Sequence, residues 1–147
     1  AHRVFRYALN QLSLEPEWKV YFALWLKTIA GRGGRATDLD VDDVLDDLSE
    51  GGDWPSKLAR FAAGKLAYTE LLAQASDVGA RTEAHFYEGA RRLGAGDVEG
   101  AHALFRLVLD TKMVNFYEFA MAQELMAGAG PSASTGAPAV SGAAPRP

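Results

Sequence analysis

The sequence predicts an all-α fold of about six or seven helices, arranged as helical hairpins and followed by a disordered tail. Three observations carry this expectation. Apolar residues recur three and four apart through most of residues 1–126, the period of a helix with one buried face. No run alternates apolar and polar residues between hairpin turns, so no strand is expected. From residue 127 onward the chain is Ala, Gly, Pro, Ser and Thr, with Val140 its one larger aliphatic residue and Arg146 its one charge. That stretch has too little apolar surface to offset the entropy of ordering it. The organisation expected is therefore a helical domain over 1–126 and a tail over 127–147.

Taken in order, residues 1–12 place Phe5, Ala8, Leu9 and Leu12 on one helical face. The chain opens on Ala1 already in helical register, as the C-terminal part of a longer helical protein would. Pro16 ends that helix and starts the next, because proline is tolerated in a first helical turn. The second helix runs to about Ala30 with Trp18, Tyr21, Phe22, Trp25 and Ile29 on its apolar side, and Gly31, Gly33 and Gly34 end it. Residues 38–53 hold eight acids and no base, yet Val41, Val44, Leu45 and Leu48 still form a helical stripe. Asp38 or Asp40 is the expected cap, and Gly51-Gly52 the stop. Trp54-Pro55 opens a helix through Leu58, Phe61 and Ala62 to Gly64, and a short one follows from Tyr68 to Ala75 with Leu71 and Leu72.

Residues 84–110 read as one hairpin. Gly89 stands where two helices approach closely, Gly96-Asp97 makes the turn, and Ala101 and Phe105 lie four apart on the returning helix. Asn115, with Glu118 three residues on, has the pattern of a capping box for a last helix with Phe116, Phe119, Ala120 and Gln123 or Leu125 as its apolar face.

Composition narrows the function. A length of 147 residues suffices for one domain with a core. The net charge of -4 gives no overall attraction to nucleic acid. With no cysteine there is no disulfide framework, thiolate zinc site or cysteine nucleophile. No apolar run reaches the roughly 18 residues of a membrane span.

Two segments carry a family resemblance. One is Phe86-Tyr87, Gly89, Leu93, Gly96-Asp97 and Ala103-Leu104-Phe105-Arg106-Leu107, with Asn115-Phe116 and Glu118 after it. The other is the helix entry Pro16-Glu17 to Trp25-Leu26, followed by Phe61-Ala62-Ala63-Gly64. Their order and spacing resemble the C-terminal half of the NlpI-type tetratricopeptide lipoproteins of bacterial envelopes. The resemblance implies a helical-repeat fold and a dimeric adaptor, joining a periplasmic processing protease to peptidoglycan hydrolases. It also implies attachment to the outer membrane through a lipid anchor upstream of residue 1. The chain departs from the repeat consensus: His85, Glu88, Arg92 and Met113 replace a tryptophan, a leucine, a tyrosine and a proline. The acidic helix and the tail have no counterpart in that pattern.

Catalytic, cofactor and metal residues are not expected. Asp38-x-Asp40-x-Asp42 resembles the start of a calcium loop, but Asp43 and Ser49 stand where such a loop needs glycine and a bidentate glutamate. Gly31-Arg32-Gly33-Gly34-Arg35 and Gly64-Lys65 lack the Lys-Ser or Lys-Thr step of a phosphate loop. His85 and His102 lack a third metal ligand at suitable spacing. Partner contact is expected instead at the aromatic stripe Trp18, Tyr21 and Trp25, at the apolar first-helix groove positions Phe86, Ala90 and Leu93, and at Phe116 and Tyr117. The leading expectation is a non-catalytic scaffold that binds proteins or a second copy of itself. The alternative is a helical accessory domain of an enzyme whose catalytic part lies upstream.

Overall fold

The computed structural model describes Tyr7, Leu9, residues 13–34 and residues 39–128. These form seven α-helices and no strand: α1 (Pro16–Arg32), α2 (Leu39–Asp47), α3 (Trp54–Ala62), α4 (Tyr68–Ala73), α5 (Val78–Gly94), α6 (Val98–Asp110) and α7 (Tyr117–Ala127). A 3-10 turn, Leu48–Glu50, extends α2. The helical face expected of residues 1–12 falls largely outside the described residues, although Leu9 is buried in the core and Tyr7 is exposed. The tail beyond Gly128 lies outside them altogether.

Local chemistry sets the helix starts. Asp53, Asp77 and Asp97 cap α3, α5 and α6, accepting from the backbone N–H groups of Ser56 (2.8 Å), Ala80 (2.9 Å) and Gly100 (3.0 Å). The turn between α5 and α6 places Gly96 at φ +86°, a conformation that favours glycine.

Helix α5 is the hub. It packs on α6 most extensively, and also on α1, α4 and α7. The hairpin contact runs through Gly89, where a Cβ would lie 2.6 Å from Cε1 of Phe105. Only a missing side chain lets that ring in. Phe86 and Phe105 are fully buried and stack with centroids 5.9 Å apart, each burial contributing about 2–3 kcal/mol.

Helix α1 departs from the expectation of a single apolar side. Ala23, Leu24, Trp25 and Leu26 are buried in succession, because α2, α3 and α5 pack on it from different directions. Gly31 does not end this helix; it lies inside it, where α1 meets α5 at Gly94, and a Cβ on Gly94 would come within 3.2 Å of Gly31 Cα. Gly33 is the cap residue. The last helix also corrects its expectation. Its cap position is Phe116 rather than Asn115, with no side-chain bond, and its buried residues are Glu118, Ala122 and Leu125.

The acidic segment is tied down by cations from its neighbours. Lys27 pairs with Asp42 (2.7 Å) and Lys65 with Asp46 (2.8 Å). The Arg60 guanidinium donates to the carbonyls of Ser49 (2.7 and 2.9 Å) and Gly51 (3.0 Å). Asp40 lies within the first turn of α2, and Asp38 falls outside the described residues. Val41 and Leu45 turn inward, as their spacing requires.

Candidate functional site

An open cleft of about 530 Å³ lies between α1, α5 and α7. Helix α1 supplies one wall, since Trp18, Tyr21, Phe22 and Trp25 recur at i, i+3, i+4 and i+7 and so share a face. Helix α7 supplies Tyr117, whose ring meets Trp25 edge-on at 4.5 Å between centroids. Trp18 and Tyr21 pair at the mouth, 6.2 Å apart. Trp18 (54% exposed) and Tyr117 (55%) present their rings to solvent.

Two carboxylates complete the lining: Glu83 of α5, 8% exposed, and Glu118 of α7, 5% exposed. Both are held by neutral donors. Trp54 Nε1 and the Tyr21 hydroxyl (3.4 Å) both donate to Oε2 of Glu83. The buried Tyr87 hydroxyl donates to Oε1 of Glu118 at 3.0 Å. Burial pushes the Glu83 carboxyl up to about 7, against the pull of the Trp54 hydrogen bond and with help from the Glu118 charge. Burial likewise raises Glu118, partly offset by the hydrogen bond from Tyr87. Tyr21 is raised by burial and then by the Glu83 charge. Glu17 adds a third carboxylate to the lining. Among the described residues no lysine, arginine or histidine lines the cleft, and none pairs with Glu83 or Glu118.

The cleft brings together four of the expected contact residues, Trp18, Tyr21, Trp25 and Tyr117. The others lie elsewhere. Phe86 is fully buried between Trp25 (5.4 Å) and Phe105, so it presents no surface to a partner. The repeat register placed it in a groove, but α1 covers that side of α5. Ala90 lines a smaller cavity of about 200 Å³ between α1, α3 and α5. Leu93 is half-buried against the core, and the Phe116 ring packs over Gly79.

Sequence reasoning missed Glu83 and Glu118. A signal existed for Glu83: it falls in the stripe Ala80, Ala84 and Tyr87, where an unpaired acid is out of place. Glu118 was masked by its resemblance to a capping residue. His85 Nδ1 shares a hydrogen bond with the Tyr68 hydroxyl (2.8 Å). No group of three or more His, Cys, Asp or Glu residues suited to a metal occurs among the described residues.

No protein-family model matches the chain, no curated protein is similar to it, and no solved structure matches it. The likeness to tetratricopeptide lipoproteins rests on the residues quoted above alone.

Proposed function

We propose that this chain is a non-catalytic protein-binding module, an adaptor that grips a partner in the cleft between α1, α5 and α7. The carrying observation is the pairing of two large solvent-facing aromatics, Trp18 and Tyr117, with a cleft that stays open between three packed helices. Tryptophan and tyrosine anchor protein interfaces because a rigid ring buries much area for little lost entropy. The α5–α6 hairpin supports a tetratricopeptide-like arrangement. By that resemblance the partners are an envelope protease, peptidoglycan hydrolases or a second copy, in the bacterial periplasm.

Screening a peptide library against the purified chain tests this reading. Peptides that bind should lose at least tenfold in affinity to Trp18→Ala and to Tyr117→Ala, with unchanged helical circular dichroism. Binding that survives both substitutions places the contact elsewhere.

Glu83 favours a second reading, in which a carboxyl titrating near 7 beside another carboxyl serves as a general acid. Hydrolysis of a glycan or peptide substrate that Glu83→Gln abolishes would establish it in place of the adaptor.

A further inference from the structure

We infer that the cleft seats a basic side chain of a protein partner, a lysine ammonium or an arginine guanidinium, between its aromatic walls and against Glu83 and Glu118. This deepens the adaptor reading and rests on it. Three features of the cleft converge.

The first is charge. Glu83 and Glu118 are nearly inaccessible, Glu17 joins them in the lining, and among the described residues no cation answers them. The same helix shows what balance looks like: buried Glu88 receives both Arg91 (2.7 Å) and Arg92 (2.8 Å). The cleft carboxylates have neutral donors only, so a cation entering from outside supplies the missing charge.

The second is the walls. Trp18, Tyr21, Trp25 and Tyr117 line the same cleft as the carboxylates, and aromatic faces attract ammonium and guanidinium groups through the ring quadrupole. These walls choose the kind of cation. A hard metal ion wants six or more oxygen ligands, whereas this lining is chiefly carbon. An organic cation with an apolar stem uses both surfaces at once.

The third is access. The cleft opens to solvent with Trp18 and Tyr117 at its edge, so a side chain can enter while the backbone that carries it stays outside. A space of about 530 Å³ lies within the range of ligand clefts.

Protonation follows from the same geometry. Among the described residues, the titratable and polar groups around Glu83 are Glu17 and Tyr21 on α1, Trp54 on α3, Asp77 and Tyr87 at and on α5, and Glu118 on α7. None is a cation to offset burial, which makes the pair hold protons more tightly than ordinary carboxylates, and an entering cation displaces them. Binding therefore strengthens as pH rises through about 7, where Glu83 ionises.

The experiment uses the whole chain and capped pentapeptides that differ only at the central residue: lysine, arginine, glutamine or glutamate. Affinity is read by tryptophan fluorescence and calorimetry between pH 5.5 and 8.5. The lysine or arginine peptide should bind at least tenfold more tightly than the glutamine peptide at pH 8. That preference should shrink below pH 6 and fall at least tenfold in Glu83→Gln and in Glu118→Gln, each first shown to be folded by circular dichroism. Equal binding of the lysine, arginine and glutamine peptides overturns the cation assignment while leaving the docking cleft standing. Binding of none of them sinks both. Tetramethylammonium binding as tightly as the best peptide identifies a free organic cation as the ligand and overturns the polypeptide source.

Discussion

Glu83 and Glu88 lie five residues apart on α5, and the fold buries both, Glu83 to 8% exposed and Glu88 to 1%. Around Glu88 the helix answers its own charge, with Arg91 and Arg92 one turn on bonding both carboxylate oxygens. Burial there pushes the carboxyl up, but the two guanidiniums outweigh it and hold it below the usual glutamate range. Around Glu83 the same i+3 and i+4 places are Phe86 and Tyr87, which belong to the core, and the carboxyl rises to about 7. One helix thus carries a structural glutamate and an uncompensated one. What separates them is whether the next turn faces solvent, where arginine can stand, or the core, where it cannot.

The largest expected effect breaks the frame that holds both. Gly89→Leu drives a side chain into the Phe105 ring, whose Cε1 lies 2.6 Å from the position of a Cβ. We expect a loss of about 3 kcal/mol or more, since the helices must separate to admit it. Thermal or urea denaturation measures it, and an unchanged midpoint would show that α5 and α6 do not meet there.

The second prediction makes Glu88 resemble Glu83. In the double variant Arg91→Ala, Arg92→Ala, a buried carboxylate is left without its cations. Both arginines are partly solvent-exposed, so solvent screening reduces the cost, and the variant should melt below the native chain at pH 7 but by less than Gly89→Leu. The pH dependence should change sign. With its carboxyl lowered, Glu88 now contributes stability above about pH 4.5, which is lost as the pH falls through its native pKa. Without the arginines, burial raises the carboxyl and stability should fall as the pH rises above 4.5. A double variant with the native pH profile would refute the pairing.

The third removes the charge at Glu83. Its pKa is raised from 4.5 to about 7, so the unfolded chain ionises first, and this group's contribution is full below 4.5 and lost as pH rises through 7. Glu83→Gln keeps an acceptor for Trp54 and Tyr21 and should stabilise the protein by about 1–3 kcal/mol at pH 8 and by little at pH 4. A variant less stable than the native chain at pH 8 would mean that the carboxylate is already balanced.

The smallest effect is on folding at Trp18. With 54% of it exposed, Trp18→Ala should change stability by about 0.5 kcal/mol or less while weakening any peptide held in the cleft. A large stability loss would make Trp18 a core residue and remove it from the contact site.

Much of the fold was legible because it is encoded locally. The helical period and the stop residues exposed all seven described helices, although α5 starts at Val78 and not at 84, Gly96 marked its turn, and Gly89 with Phe105 marked the closest contact. The acidic stretch could be read as a helix because Val41 and Leu45 kept their spacing through the charge. The errors fall where position depends on a neighbour distant in sequence. Phe86 occupies a groove position in the repeat register, but α1 covers it. Gly31 looks like a helix stop and is a crossing point with Gly94, and Glu118 looks like a cap and turns inward to Tyr87.

By itself, the sequence determined the class of the fold, the hairpin of α5 and α6 and the aromatic stripe of α1. Each follows from interactions within a few residues: a 3.6-residue period, a glycine turn, aspartates reaching the next N–H groups. Only the tertiary structure decided that Tyr21, Trp54, Glu83 and Glu118 share one site. Periodicity says which side of a helix is buried, and nothing in it says which other helix lies against that side. That choice is made by the packing of the whole core, and with it went the burial that raises the Glu83 and Glu118 carboxyls above the ordinary glutamate range.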